Sequence, residues 1–436
     1  MNAPEPEPEQ QLQEIDQTLP QEPTAMGAEA EAPGAGRGPL GVFRHRNYAL
    51  FFSGQIISLT GTWLQQVALG WLVLTLTNSA LLLGVVSSIS ALPVLIFSLP
   101  AGLVADRFDK RNLLVTTQSS AMMLAFLLAI LTYAHVVTVY YIILIGFLLG
   151  VVNAFDAPTR QAFVVEMVGR EDLTTAIALN SAMFNGARIV GPAVAGAVVA
   201  VVGTAGAFLL NGISFIAVII GLVLMRITAT AQVAQTSALQ GLSEGLRFVR
   251  GNSLVTALLL LTAIVSIFSM PYAVLMPIFA RDVLKIGAAG LGYLMAATGV
   301  GALIGAVLLS MLGDFPRKGR LLISGNLTFC AMLILFSLSR SVPLSLLFLV
   351  GAGWGMMTNM ALTNTLIQTS VPDELRGRVM SVYTLMFMGM APIGSLLAGS
   401  LAHVMSAPGA VRIGAVVCAL TAIVLAPRII SAGRPE

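Results

Sequence analysis

The chain has 436 residues, 57% of them hydrophobic and only 10% charged, with a mean hydropathy of +0.89. A soluble protein of this size carries roughly a quarter charged residues, so a water-facing surface is excluded. The apolar runs are continuous and far longer than the alternating ~10-residue strands of a membrane barrel, so that class is excluded too. The formal net charge of +3 averages two unlike regions. Residues 1–36 hold eight acids and no Lys or Arg, whereas the rest holds 23 bases against 12 acids.

In chain order, residues 1–40 read as a disordered acidic segment rich in Pro, Glu, Gln and Ala, lacking the apolar surface that offsets ordering entropy. It has neither the basic start nor the apolar core of a secretory signal. Twelve apolar runs follow, near 48–76, 80–101, 112–134, 137–157, 174–200, 205–225, 254–280, 288–312, 320–339, 342–367, 379–402 and 411–427. Each is close to the ~20 residues that cross a bilayer. Alternate connections hold 18 Lys/Arg; the others hold only Arg281, Lys285, Arg340 and Arg412. Basic loops stay in the cytoplasm, so both termini are expected there. Cys330 and Cys418 lie inside apolar runs and read as buried, inert thiols.

The fifth and eleventh runs align without a gap: GARIVGPAVAG (186–196) lies over GMAPIGSLLAG (389–399), offset by 203. This matches Gly186 to Gly389, Gly191 to Gly394, and Gly196 to Gly399. The chain therefore reads as a duplicated six-span unit, all-α and integral to the membrane: twelve transmembrane helices in two pseudo-symmetric six-helix bundles. The expected parts are a bundle at 41–226, a cytoplasmic linker with an amphipathic helix at 227–253, a bundle at 254–427 and a tail at 428–436. Parallel repeats of this kind place a site near the midplane between the halves. Gly186, Gly191, Gly196, Gly394 and Gly399 are expected at close helix contacts, with Pro192 and Pro392 as bending points.

The stretch GLVADRFDKRNLL (102–114) packs five charges into the six residues Asp106–Arg111. Basic residues alone would set topology, so Asp106 and Asp109 require another reason. GDFPRKGR (313–320) is its weaker partner, with Asp314 and Lys318 as the pseudo-repeat.

These residues carry a resemblance. GLVADRFDKRNLL resembles the loop 2–3 motif of the major facilitator superfamily, and GARIVGPAVAG resembles the span-5 motif of its exporters. The stretches 61–84, 155–196 and 245–255 are similar to the bacterial branch that includes the enterobactin exporter and macrolide-efflux-like proteins. Asp109 stands where the superfamily usually has Gly, and the fourth run (137–157) lacks the Arg often found in proton-coupled drug exporters. The resemblance implies a cytoplasmic gate of Gly102, Asp106, Arg107, Lys110 and Arg111. Asp106 would cap the start of span 11, and the bases would pair with Glu166, Glu171, Asp373 or Glu374. A solvated loop that only sets topology is the alternative.

Arg188 is the one base inside a span, and an intramembrane charge is a functional hypothesis by default. No carboxylate stands near the midplane of any run, so a cavity holding Arg188 leans toward neutral or anionic cargo; an Arg tied to helix-end carbonyls in a purely structural role is the alternative. Gln55, Trp63, Gln66, Asn185, Asn359 and Tyr383 are further cavity candidates. Asp156 is a proton-coupling candidate, or the local partner of Arg160.

The function expected is secondary transport, chiefly export of small organic molecules (siderophore, drug or metabolite) by alternating access with proton antiport. A uniporter, importer or lysophospholipid flippase is the alternative of the same fold, and a receptor or scaffold acting through the acidic tail is the alternative of another class. An enzyme is not expected: the three histidines are scattered and no midplane acid pair exists. The other expectations are a monomer in the bacterial cytoplasmic membrane, with no cofactor, no metal, no ATP-binding loop and no nucleic-acid partner.

Overall fold

The computed structural model describes residues 39–169, 172–225, 238–313 and 315–431. The chain divides after Gly41, and every span lies in the larger body, Val42–Glu436. Among the described residues there is no strand. Eleven helices among the described residues are long and apolar enough to cross a membrane. One of them, Leu173–Leu224, has 52 residues. At 1.5 Å per residue it would be about 78 Å long, against a ~30 Å hydrocarbon core. It breaks at Gly203, where φ is 73° and ψ is −179°, a conformation essentially reserved to glycine. Split there, the helix gives two spans and the total is twelve.

We number the spans α1 (Arg46–Thr77), α2 (Ala80–Arg107), α3 (Lys110–Tyr133), α4 (Val139–Val168), α5 (173–202), α6 (204–224), α7 (Ser253–Val283), α8 (Gly287–Leu312), α9 (Lys318–Leu338), α10 (Val342–Ser370), α11 (Asp373–Met405) and α12 (Ala407–Ser431). Local chemistry sets several ends. Asn78 closes α1 in the left-handed region (φ 49°), and the Ser79 hydroxyl caps α2 by accepting from Leu82 N–H. Asp109 caps α3, its Oδ1 accepting from Asn112 N–H at 2.7 Å. That contact accounts for the second acid of the charged loop: a carboxylate at a helix start satisfies a free N–H and meets the positive end of the dipole.

The prolines act unevenly. Pro93, Pro100 and Pro192 lie inside unbroken helices. α7 carries wide turns at Val265–Ser269 and Phe279–Val283, next to Pro271 and Pro277. A proline removes the N–H that an α-turn requires, and a wide turn is one way to absorb the loss. α11 is interrupted at Gly389 and Met390, just before Pro392.

The repeat seen in the sequence recurs in the packing. A Cβ on Gly196 of α5 would stand 2.7 Å from Gly292 Cα and 2.9 Å from the Ala288 carbonyl oxygen of α8. A Cβ on Gly399 of α11 would stand 2.7 Å from Gly84 Cα and 2.8 Å from the Ala80 carbonyl oxygen of α2. Gly196 and Gly399 are 203 apart, and each meets the same kind of partner in the other half. Two crossings between the halves, α5 on α8 and α2 on α11, are thus backbone to backbone.

The linker helix, Ala238–Gly251, is docked rather than free-lying. Gly245 is buried, a Cβ there would stand 2.7 Å from the Arg378 carbonyl oxygen of α11, and Glu244 pairs with Arg378. Val249 is buried and Leu246 exposed.

Candidate functional site

The described contacts of the charged loop stay within its own half. Lys110 Nζ meets Glu166 Oε1 of α4 at 2.7 Å. Among the described residues Arg111 takes no loop acid; its Nε donates to the Leu222 carbonyl at 2.7 Å, and it also reaches Val223 O. Arg46 donates to Leu224 O at 3.1 Å. Two arginines therefore close the carbonyl end of α6, where cations are favoured. Arg107 is exposed, and Gly102 has open space where a Cβ would be. The side chain of Asp106, and Glu171 and Asp314 altogether, lie outside the described residues. At the start of α11, Asp373 pairs with Arg376. Lys318 opens α9.

Asp156 is 2% exposed. Its Oδ1 accepts from Thr117 Oγ1 at 2.9 Å and Gln118 Nε2 at 2.7 Å, and Arg160 one turn on holds Oδ2. The Arg160 guanidinium also donates to Gln55 Oε1 at 3.1 Å. The helix end explains a discrepancy with the sequence limits. α4 runs to Val168 rather than stopping near 157, so Arg160 belongs to the fourth span and not to a loop. Gln55 is thereby tied into a buried network joining α1, α3 and α4, while Gln66, eleven residues on, is exposed.

The other candidates separate as well. Gly186 has nothing within 4 Å of an added Cβ, so it makes no close helix contact. Gly191 makes room for the Trp63 indole of α1. Gly394, its repeat mate, abuts Pro271 and the Ser266 carbonyl of α7, a Cβ there standing 2.7 Å from each. Gly196 and Gly399 make the two crossings. The Asn185 side chain lies outside the described residues.

Arg188 stands at the α5–α8 crossing. Gly299 of α8 would carry a Cβ 2.9 Å from the Arg188 carbonyl oxygen, and Gly353 of α10 abuts the Thr298 carbonyl one residue away. Glycines thus stack α5, α8 and α10 closely enough for the half-buried guanidinium to reach the Met356 sulfur of α10 at 3.8 Å. Met356 itself lines a small hollow in the second half, with Asn359, Met360, Thr363, Tyr383 and Phe387 among the other lining residues. The Tyr383 and Phe387 rings are stacked, with centroids 6.3 Å apart. Asn359 Nδ2 and Thr363 Oγ1 are buried without a partner. The structure therefore brings Arg188, Asn359 and Tyr383 to one region. Met356 and Thr363 were missed by the sequence, because a Met and a Thr in an apolar run carry no signal.

At the opposite end from the basic loops, Arg281 of α7 bridges to α1. Its guanidinium donates to the Leu74 carbonyl at 2.9 Å and to Asn78 Oδ1, while Asp282 takes Nε at 2.7 Å and a second N–H at 3.0 Å. The only available signal was that Arg281 is one of the four bases on the base-poor side.

Twelve apolar helices with two matching crossings between the halves are the architecture of a multi-pass transporter of the major facilitator type. Residues 37–432 match the family described as Transmembrane secretion effector, and the chain belongs to that family. It is 27% identical over 351 residues to the staphyloferrin A transporter of Staphylococcus aureus, covering 80% of this chain and 87% of that one. It is 25% identical over 376 residues to the multidrug efflux pump Tap of Mycolicibacterium fortuitum, covering 84% and 90%. A bacterial homologue of the human lysosomal transporter Spinster, solved inward-facing and unoccupied, superposes with a TM-score of 0.71 at 13% identity, covering 90% of this chain and 99% of that one; the likeness is one of fold.

Proposed function

We propose that this chain exports small organic molecules across the bacterial cytoplasmic membrane by alternating access, with Arg188 and the α10–α11 hollow as the central site. The observation that carries the reading is an asymmetry between the two ends. At the base-poor end the halves are joined by the two glycine crossings and by Arg281. At the basic end, the pairs Lys110–Glu166, His45–Asp172 and Arg376–Asp373 each stay within one half, and Arg378–Glu244 ties only the linker helix to α11. With the basic loops in the cytoplasm, this is the state that loads cargo from inside. In the opposite state the Asp106 loop clasps the start of α11, and Asp106→Asn slows transport without lowering expression.

The cargo classes are those carried by the named relatives, siderophores and drugs, and the driving force is proton antiport with Asp156 as the proton-binding candidate. Inside-out vesicles test this. An acidic lumen, from which protons leave, should drive substrate uptake, and substrate should in turn dissipate that gradient. Uptake indifferent to the gradient removes the antiport; uptake in right-side-out vesicles alone makes the chain an importer.

A further inference from the structure

We infer that the central site is built for an amphipathic organic anion, an aryl carboxylate or phenolate. Its charged head sits on Arg188, and its apolar body lies against the sulfur and aromatic wall of α10 and α11. The inference rests on the transport reading above and goes beyond it by choosing the charge of the cargo.

The first support is the poverty of Arg188's surroundings. Other bases have good acceptors: Asp156 for Arg160, Glu166 for Lys110 and Asp282 for Arg281. Among the described residues the hydrogen-bond contact of Arg188 is a thioether at 3.8 Å. Sulfur is a weak acceptor, and a guanidinium drawn away from water requires a strong one. Met356 fills the place that an oxyanion would take with a charge-assisted pair, which is bidentate for a carboxylate.

The second support lies in the hollow that Met356 lines. Asn359 Nδ2 and Thr363 Oγ1 are 6% and 1% exposed by residue and have no partner. An unmatched buried polar group is destabilising, and an acceptor-bearing ligand removes that penalty. Both groups can donate, as Arg188 does. The third support is the wall. Met356, Met360, Tyr383 and Phe387 offer polarisable sulfur and ring faces, and among the described residues no carboxylate lines the hollow. A cation would meet a guanidinium with no acid to offset it, and a purely polar anion would gain nothing from the rings. The hollow measures about 10 Å³, room for roughly one water, so a ring enters only once Met356, unbranched and adaptable, swings aside and joins the Arg188 side of the site to it.

The test uses the full chain in lipid nanodiscs and three probes of similar size: salicylate, the neutral salicylamide and protonated benzylamine. Binding is read by equilibrium dialysis. Wild type should bind salicylate at least ~10-fold tighter than salicylamide, and benzylamine weakest. Arg188→Gln should remove that preference, Arg188→Lys should keep part of it, and Asn359→Ala should weaken salicylate about 3- to 10-fold, the loss of one hydrogen bond. The wild-type comparison needs no variant, so misfolding of Arg188→Gln cannot obscure the result. Equal affinity for the three probes, no binding of salicylate, or a preference unchanged by a folded Arg188→Gln overturns the inference. Vesicle flux separates this failure from that of the transport reading. A pumped cation with salicylate ignored leaves the transporter and removes the anion site; salicylate bound but never moved leaves the site and removes the transporter.

Discussion

Replacing Arg281 by Ala should open the base-poor end. The guanidinium makes two hydrogen bonds from α7 to α1, one to the Leu74 carbonyl and one to Asn78. It does so at the carbonyl end of a helix, where positive charge is favoured. A buried charge-assisted bond contributes roughly 1.5–3 kcal/mol, but this side chain is 27% exposed, and water replaces part of the loss. Allowing for that, about 1–2 kcal/mol should leave the described state, a 5- to 30-fold shift toward the opposite one. Spin labels on Ser79→Cys and Lys285→Cys would report the width of this end, with Cys330 and Cys418 buried and so out of reach of the label. Arg281→Ala should add or enlarge a long-distance population, and Arg281→Lys, which keeps charge but not the fork, should fall between. Superimposable distance distributions for all three proteins would refute the clasp.

Gly399→Ala should impair both stability and flux, because its Cβ would stand 2.7 Å from Gly84 Cα; overpacking of this kind costs about 1–3 kcal/mol. Gly186→Ala, with nothing within 4 Å, should unfold at the wild-type temperature. Asp156→Asn strips Arg160 of its counter-charge, and breaking a buried pair from one side costs about 3–5 kcal/mol; the yield of folded protein in detergent should fall, and adding Arg160→Gln should restore part of it. Gly245→Leu should detach the linker helix from α11, seen as faster proteolysis within 238–251, because its side chain would collide with the Arg378 carbonyl.

Much of the architecture is legible in the residues alone. Hydropathy, loop charge and the 203-residue repeat specify twelve spans, and the same offset pairs Gly196 with Gly399 in the packing. Helix ends were harder. Arg160 looked like a loop residue because apolar character fades near residue 157, yet the helix continues to Val168. A buried partner, Asp156, lets a charged residue remain helical below the apolar run, and that pairing is invisible to a hydropathy window.

The lipid-spanning class and the duplication are written in the residues, because each depends on composition or on spacing along a single chain. Which groups meet is a matter of packing: among the described residues Arg188 reaches a sulfur and not an acid, Gly186 has open space where Gly399 meets a backbone, and Arg281 spans the two halves. Those are distances between helices hundreds of residues apart, and they follow from how the glycines let the helices approach rather than from any local pattern.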